Sequence, residues 1–500
     1  MDAAKRELTA TRTKLLYGVG AVAFGIKDNG FQTILLLFYN QVIGLPAQLV
    51  GAAIMVALMI DAFLDPVVGQ ISDNLRTRWG RRHPFMYAAA LPVALSYLLL
   101  WNPPHWSQSA MFFYLVAVAV IVRTFITCFE IPSAALAPEL TDDYDQRTSF
   151  ISFRIFFGWY GGMTMLALAY LVFLVPDATH DVGQLNEAGY SRYGLTAAVI
   201  MFAAIMISSL GTHKFIPLFR AAPQRRISIL QYAREMLATM KNRAFLILMS
   251  AALLTYLATG LVFALNIYLQ TYFWELSHTQ IFILTIPIFL AVLLAFLIAP
   301  ALSRRFGKKK GAIALFLVGF VISSAPLVLR LIGWFPANGA ASLVPALFVF
   351  AAIGLAMTIG SSILTISMLS DVVEDSELKT GRRSEGLFFA GASFLQKAAS
   401  GLGLFLSGLI LGFVDFPAHA TPGQVDPQIM RNLVLVYLPT LFVLYGGAMA
   451  IISRFPITRE HHQETLRRLA EESALAAAPV ATDLEMDLEA PTARMNPMPD

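Results

Sequence analysis

Apolar runs of about 20 residues, each long enough to cross a bilayer as a helix, recur along almost the whole 500-residue chain. Short polar connectors separate them. The pattern predicts helices near 14–40, 47–72, 84–102, 108–138, 147–174 and 193–212. A second set follows near 243–272, 278–302, 311–332, 342–373, 386–414 and 428–453. No stretch is left over for a separate catalytic domain.

Lysine and arginine crowd the N-terminus and the connectors after the even-numbered helices, as at Arg76, Arg78, Arg81 and Arg82 and again at Arg304, Arg305, Lys308, Lys309 and Lys310. The opposite connectors hold almost none. The positive-inside rule then puts both termini in the cytoplasm and requires an even number of spans. Trp101, Trp106, Trp274 and Trp334 fall at the outer helix ends, as an interfacial aromatic belt requires.

The longest internal connector, His213 to Arg243, is basic and divides the spans six and six. The connectors Gly69 to Arg82 and Ala301 to Lys310 both read as a helix end, small residues and a basic cluster, which is a sign of duplication. The expected organisation is an N-terminal six-helix bundle (1–212), a cytoplasmic middle loop (213–242), a C-terminal six-helix bundle (243–457) and a cytoplasmic tail (458–500). The tail opens with a charged, helix-compatible stretch from Arg459 to Glu472 and becomes rich in Ala, Pro and Met, a disordered composition. The fold class is an all-α, multi-pass membrane protein with a solute site between two bundles.

Composition agrees: 57% of residues are hydrophobic and 14% charged, too apolar for a soluble protein of this length. The single cysteine, Cys128, lies in an apolar run and supports neither a disulfide framework nor a thiolate metal site. The net charge of +4 resides in connectors where topology needs it, so nucleic acid is not implied. Met1 to Thr13 runs into the first apolar helix with no small-residue cleavage site, so that helix is expected to be retained.

Ionisable groups within spans cost a few kcal/mol each and usually face a polar cavity. Helix 1 carries Lys27, Asp28 and Asn29, and helix 2 carries Asp61 and Asp65, four apart and therefore on one face. Helix 4 adds Arg123, Thr127 and Glu130, helix 5 Arg154, and helix 11 Gln396 and Lys397. Four acids face four bases. Asp61 and Asp65 repel unless a cation or proton lies between them, the minimum for a coupling-ion site, and Thr127 can add a hydroxyl oxygen for Na⁺. Salt bridging between helices is the alternative, and it is the favoured reading for Arg123. Asp28 and Arg154 can hold neighbouring hydroxyls of a polar solute or form a fixed ion pair. The eight histidines all fall outside mid-span positions. Nothing reads as a nucleotide loop, metal cluster or nucleophile triad, so an enzyme and a primary pump are not expected.

Asp61-Ala62-Phe63-Leu64-Asp65-Pro66, followed by Gly69 to Asp73 and Arg78-Trp79-Gly80-Arg81-Arg82-His83-Pro84, resembles the glycoside-pentoside-hexuronide:cation symporters of the major facilitator superfamily. Lys27-Asp28, Glu130-Ile131-Pro132, Asp142 to Arg147, Asp371 to Lys379, Gly386 and Gln396-Lys397 agree with the same family, and the resemblance runs from about Lys14 to Phe455. It implies a cation site at Asp61, Asp65 and Thr127 and a sugar site that includes Lys27, Asp28, Glu130, Arg154, Gln396 and Lys397. Departures are Leu64, where a familiar member has a polar amide, Ile126 for a tyrosine and Ala134 for a tryptophan.

The expected activity is H⁺- or Na⁺-coupled symport of a sugar or glycoside by alternating access, with no cofactor besides the coupling ion, in the plasma (bacterial inner) membrane. Asp73, Arg81 and Arg82 are expected to latch the two bundles together on the cytoplasmic side through charge pairs and a helix end. The protein is expected to be monomeric, with the bilayer and a small solute as its partners. An amphiphile such as a lysophospholipid is the alternative solute, because helix 4 becomes more apolar at Ile126 and Ala134. A solute sensor that no longer transports is the remaining class, and the retained carboxylates speak against it.

Overall fold

The computed structural model describes residues 10–141, 143–177, 181–218, 242–458, 460–465, 467, 468 and 471, except 381–384. Most of the middle loop (219–241) and most of the tail therefore lie outside the described residues. Among the described residues, eleven helices are long and apolar enough to cross a membrane. A twelfth, α1, precedes them as a run of segments from Thr11–Val19 and Ala21–Asn29 through Leu35–Leu37, with π-helical turns at Gly30–Ile34 and Phe38–Val42. The others are α2 (Ala47–Asn74), α3 (His83–Leu100), α4 (Gln108–Ala134), α5 (Tyr144–Leu168), α6 (Glu187–His213), α7 (Arg243–Tyr268), α8 (Pro287–Phe306), α9 (Lys308–Leu331), α10 (Leu343–Thr380), α11 (Glu385–Phe413) and α12 (Pro427–Ile452).

The predicted spans are all present, with three differences of physical origin. The eighth is interrupted: Ser277 and Gln280 form a capping box on His278–Ile283, and α8 begins afresh at Pro287, whose missing N–H costs nothing at a first turn. The fourth ends at Ala134, just past Pro132, before the separate short helix Ala137–Leu140. The tenth continues through Asp371 and Asp375 to Thr380, because a helix leaving the apolar layer keeps its own hydrogen bonds.

Large apolar side chains stand outward, including Phe113, Phe296, Leu297, Phe442 and Val443, each about two-thirds exposed. That inversion suits a hydrocarbon solvent, where backbone groups must be satisfied within the helices. In the first half α1 packs on α5 and α6, α2 on α4, and α3 on α4 and α6. In the second, α10 packs on α8 and α9, and α7 on α11 and α12. The halves meet where α2 lies along α11 and α1 touches α7.

Two glycine contacts set where functional side chains fall. A Cβ on Gly25 would lie 1.9 Å from the Gly158 carbonyl oxygen, so α1 and α5 touch backbone to backbone there, one turn past Arg154. On α11, a Cβ at Gly401 would come within 3.0 Å of the Leu58 Cβ and one at Gly408 within 2.3 Å of the Ala47 oxygen. Lys397, one turn before Gly401, is thereby brought to the acidic face of α2. The ends of α1 and α7 are alike. Each closes with a π turn, with Ile43 N–H donating to Phe38 O and Leu45 N–H to Tyr39 O, and likewise Trp274 to Leu269 and Leu276 to Gln270.

Candidate solute and coupling-ion site

Asp61 and Asp65 share the face of α2 that meets α4 and α11. Pro66 follows directly and lacks the N–H that the carbonyl of Ala62 would otherwise accept, which leaves one more polar group on this stretch. Asp61 is fully buried. Arg123 donates to its Oδ2 from Nε at 3.2 Å, with Nη2 at 3.1 Å, and the Thr127 hydroxyl donates to its Oδ1 at 2.6 Å and lies 3.4 Å from Asp65 Oδ1. Lys397 Nζ crosses from the other half to stand 3.1 Å from Asp61 Oδ2 and 2.6 Å from Asp65 Oδ2. The cation that the carboxylate pair demands is, in this conformation, the protein's own ammonium. Arg123 falls into the salt-bridging role that the sequence favoured for it.

The expected solute residues divide. Lys27, 2% exposed, pairs with Asp28 at 2.8 Å and lies 3.8 Å from Glu130 Oε2. The Asp28 side chain is 42% exposed. Arg154 donates from Nη2 to the Glu130 carbonyl at 3.2 Å and stacks 4.7 Å over the Phe24 ring. Lys27, rather than Arg154, is thus the partner of Asp28. Gln396 is exposed on α11 and joins none of these pairs, since neighbours on a helix point about 100° apart. Phe24 and Phe31, the latter 5.1 Å beneath the Arg123 guanidinium, were not singled out by sequence. An aromatic residue in an apolar run carries no signal of its own.

Asp73, Arg81 and Arg82 do come together. Arg82 pairs with Asp73, donates to Ser72 Oγ at 2.8 Å and shares Glu139 with Arg81, at 3.1 and 2.7 Å. Glu139, on the short helix after α4, is the knot of this group and was missed by sequence. All of these pairs lie within the first half, tying the end of α2 and the loop after it to the short helix after α4, so among the described residues they brace one half where a latch between the bundles was expected.

A different network joins the halves at the end that carries the α1–α2 and α11–α12 connectors. Gln41 accepts at Oε1 from the Tyr272 hydroxyl (3.2 Å) and the Ala420 N–H (2.8 Å), and its Nε2 donates to the Pro417 carbonyl at 3.1 Å. The Tyr268 hydroxyl donates to Asn40 Oδ1 at 2.9 Å, and His419 Nδ1 lies 3.0 Å from the Gln41 carbonyl. Asn40, Gln41, Tyr268 and Tyr272 are all buried, so this end is shut.

The sequence profile of the family described as MFS/sugar transport protein matches residues 16–459, the entire helical body. The chain belongs to this family. As an MFS/sugar transport protein it is a transporter, with no part in catalysis. It is 28% identical to an uncharacterized symporter of Synechocystis sp. over 91% of this chain and 96% of that protein. It is 27% identical to the isoprimeverose transporter of Lactiplantibacillus pentosus over 84% of each. The crystal structure of the nucleoside transporter NupG superposes with a TM-score of 0.58 at 14% identity, covering 88% of this chain and 99% of that one, a likeness of fold alone.

Proposed function

We propose that this transporter moves a sugar or glycoside by proton-coupled symport, with Asp65 as the proton acceptor and Na⁺ as the alternative coupling ion. The observation that carries the reading is Lys397 Nζ bridging Asp61 and Asp65 from the opposite half. The named activities of relatives, a symporter and an isoprimeverose transporter among them, support the class of solute.

Arg123 and Thr127 donate to Asp61 and the Lys397 ammonium stands 3.1 Å from it, so its oxygens are engaged and it favours the anion. Asp65 has a long contact to Thr127 and a close one only to Lys397. A proton needs a single lone pair, whereas Na⁺ needs a shell of oxygens, and Leu64 supplies none. Protonating Asp65 cancels half of the charge that holds Lys397, and α11 is released from α2 at mid-span. By linkage, whatever the proton does for solute affinity the solute does for proton affinity. Lys27, Asp28, Glu130 and Arg154 offer charged donors and acceptors to sugar hydroxyls. A lysophospholipid is the alternative solute.

In the orientation that basic connectors favour, with both termini cytoplasmic in a bacterial inner membrane, the Gln41 network closes the outside and the solute space faces the cytoplasm. The bundles 1–212 and 243–457 rock about it as a monomer, the loop 213–242 joins them, and Asp73, Arg81 and Arg82 brace the cytoplasmic end of the first.

The test is uptake into proteoliposomes of isoprimeverose and a panel of other glycosides, pentosides, hexuronides and lysophospholipids, driven by a pH gradient or a Na⁺ gradient. Sugar accumulation driven by ΔpH and faster at lower external pH is the expected result. Na⁺-driven accumulation indifferent to ΔpH would overturn the proton assignment, and accumulation of lysophospholipid alone would overturn the sugar.

A further inference from the structure

A second group of ionisable side chains lies apart from the solute site, where the chain leaving α12 packs against the end of α10. Phe455, Ile457 and Thr465 are buried there, and Lys309 Nζ holds the Phe455 carbonyl at 3.0 Å. The helical turn that begins at 460 is fixed by the His462 N–H donating to Thr458 O at 3.0 Å and the Thr465 hydroxyl to His461 O at 3.0 Å. The tail's start is therefore a built part of the second half.

This packing lays His462 between Asp371 and Glu374, three apart on one face of α10. His462 Nδ1 lies 3.5 Å from Glu374 Oε2 and its Nε2 3.7 Å from Asp371 Oδ1. One ligand atom from each of the three residues lies within 4.8 Å of the others. Glu374 Oε2 and His462 Nδ1 are both buried and have no hydrogen-bond partner among the described residues. They face one another at 3.5 Å without a hydrogen bond, an arrangement of two sequestered acceptors that is costly unless a proton or a metal ion joins them. Around a metal with bonds of about 2.1 Å, ligand atoms stand roughly 3.0–3.5 Å apart; only one imidazole nitrogen can be a ligand, so with Nδ1 and Glu374 Oε2 already at 3.5 Å the Asp371 carboxylate has to draw in from within 4.8 Å to complete the set.

We propose that Asp371, Glu374 and His462 form a binding site for a first-row divalent cation of the zinc class, which fastens the tail to the end of α10. One imidazole with two carboxylates suits Zn²⁺ better than the all-oxygen preference of Mg²⁺ or Ca²⁺. Lys308, its Nζ 2.5 Å from Asp371 Oδ1 and its side chain 31% exposed, is the ion's competitor. It swings to solvent when the metal arrives. His461 contacts Asp375 at 3.0 Å and stands outside the set.

The experiment is calorimetric titration of the detergent-purified full chain, carrying no polyhistidine tag, with ZnCl₂, and with MgCl₂ and CaCl₂ as comparisons. A parallel limited proteolysis reads cleavage within the tail. Wild type is expected to bind one Zn²⁺ and to gain protection of the tail, with no saturation by Mg²⁺ or Ca²⁺. His462→Gln and Glu374→Gln should each weaken binding at least tenfold, His461→Gln should leave it unchanged, and Lys308→Gln should tighten it. Absence of saturable one-to-one binding, a preference for Mg²⁺ or Ca²⁺, or equal affinity in His462→Gln and Glu374→Gln would overturn the site.

Discussion

Asp61 and Asp65 differ by one helical turn, yet their surroundings give them different consequences on substitution. Asp61 faces three donors in a fully buried place, so Asp61→Asn leaves Arg123 and Lys397 short of a counter-charge. Breaking a buried pair on one side costs about 3–5 kcal/mol, and a marked fall in apparent melting temperature is the expected result. Asp65, 19% exposed and engaged mainly by Lys397, tolerates the amide, so Asp65→Asn should fold normally, still exchange solute across the membrane, and fail to accumulate it against a gradient. Undiminished ΔpH-driven accumulation in Asp65→Asn would remove that residue from coupling. That these two carboxylates meet partners was legible beforehand, because a carboxylate in a run such as Ile60 to Leu64 is costly in lipid unless it is paired or holds an ion. Its partners were harder: Lys397 lies more than 300 positions away, and Glu139 looks like any connector acid. Which base a buried acid meets is decided by how the helices lie, and the sequence pattern carries charge without carrying that direction.

At the level of elements, helices and their order followed from hydropathy, whereas the breaks within α1 did not. Apolar periodicity registers an uninterrupted span there, but the π turns depend on carbonyls finding outside donors. The Tyr97 hydroxyl reaches Ile26 O at 3.3 Å and the Tyr268 hydroxyl reaches Leu36 O at 3.4 Å. Tertiary neighbours thus set this local geometry, as at many functional π-bulges. The glycine contacts provide a sharper test. Gly25→Val brings a side chain into the Gly158 carbonyl, which cannot move without parting α1 from α5. Such overpacking costs at least about 1–3 kcal/mol, and the variant should give little folded protein by fluorescence-detected size exclusion. Gly307→Ala has open space around it but a φ of +77° with a ψ of 160°, a conformation that is essentially restricted to glycine, so a loss of about 1–3 kcal/mol with intact uptake is expected. If Gly25→Val were as stable as the parent, the close approach of α1 and α5 would not be what positions Arg154.

For the molecule as a whole, the question is what holds one end shut while solute enters from the other. The Gln41 amide is a hydrogen-bonded crossing point, since the contacts to Tyr272, Ala420 and Pro417 all run between halves. At about 1 kcal/mol net for each buried hydrogen bond, they favour the closed arrangement by roughly 2–3 kcal/mol, a population factor on the order of 30–150 at 1.4 kcal/mol per tenfold. Gln41→Ala removes that bias and leaves the mid-span charges untouched. Spin labels at Trp106→Cys and Trp334→Cys, in a Cys128→Ser background, report the separation of the two halves at this end. These positions lie in the α3–α4 and α9–α10 connectors and are 60% and 80% exposed. Gln41→Ala should add a population at longer distance, and glycoside that binds from the closed-off side should gain access. A distance distribution identical to that of the Gln41 parent would mean that the glycine-lined seam between α2 and α11 suffices to close this end, and that opening is governed by Lys397 alone.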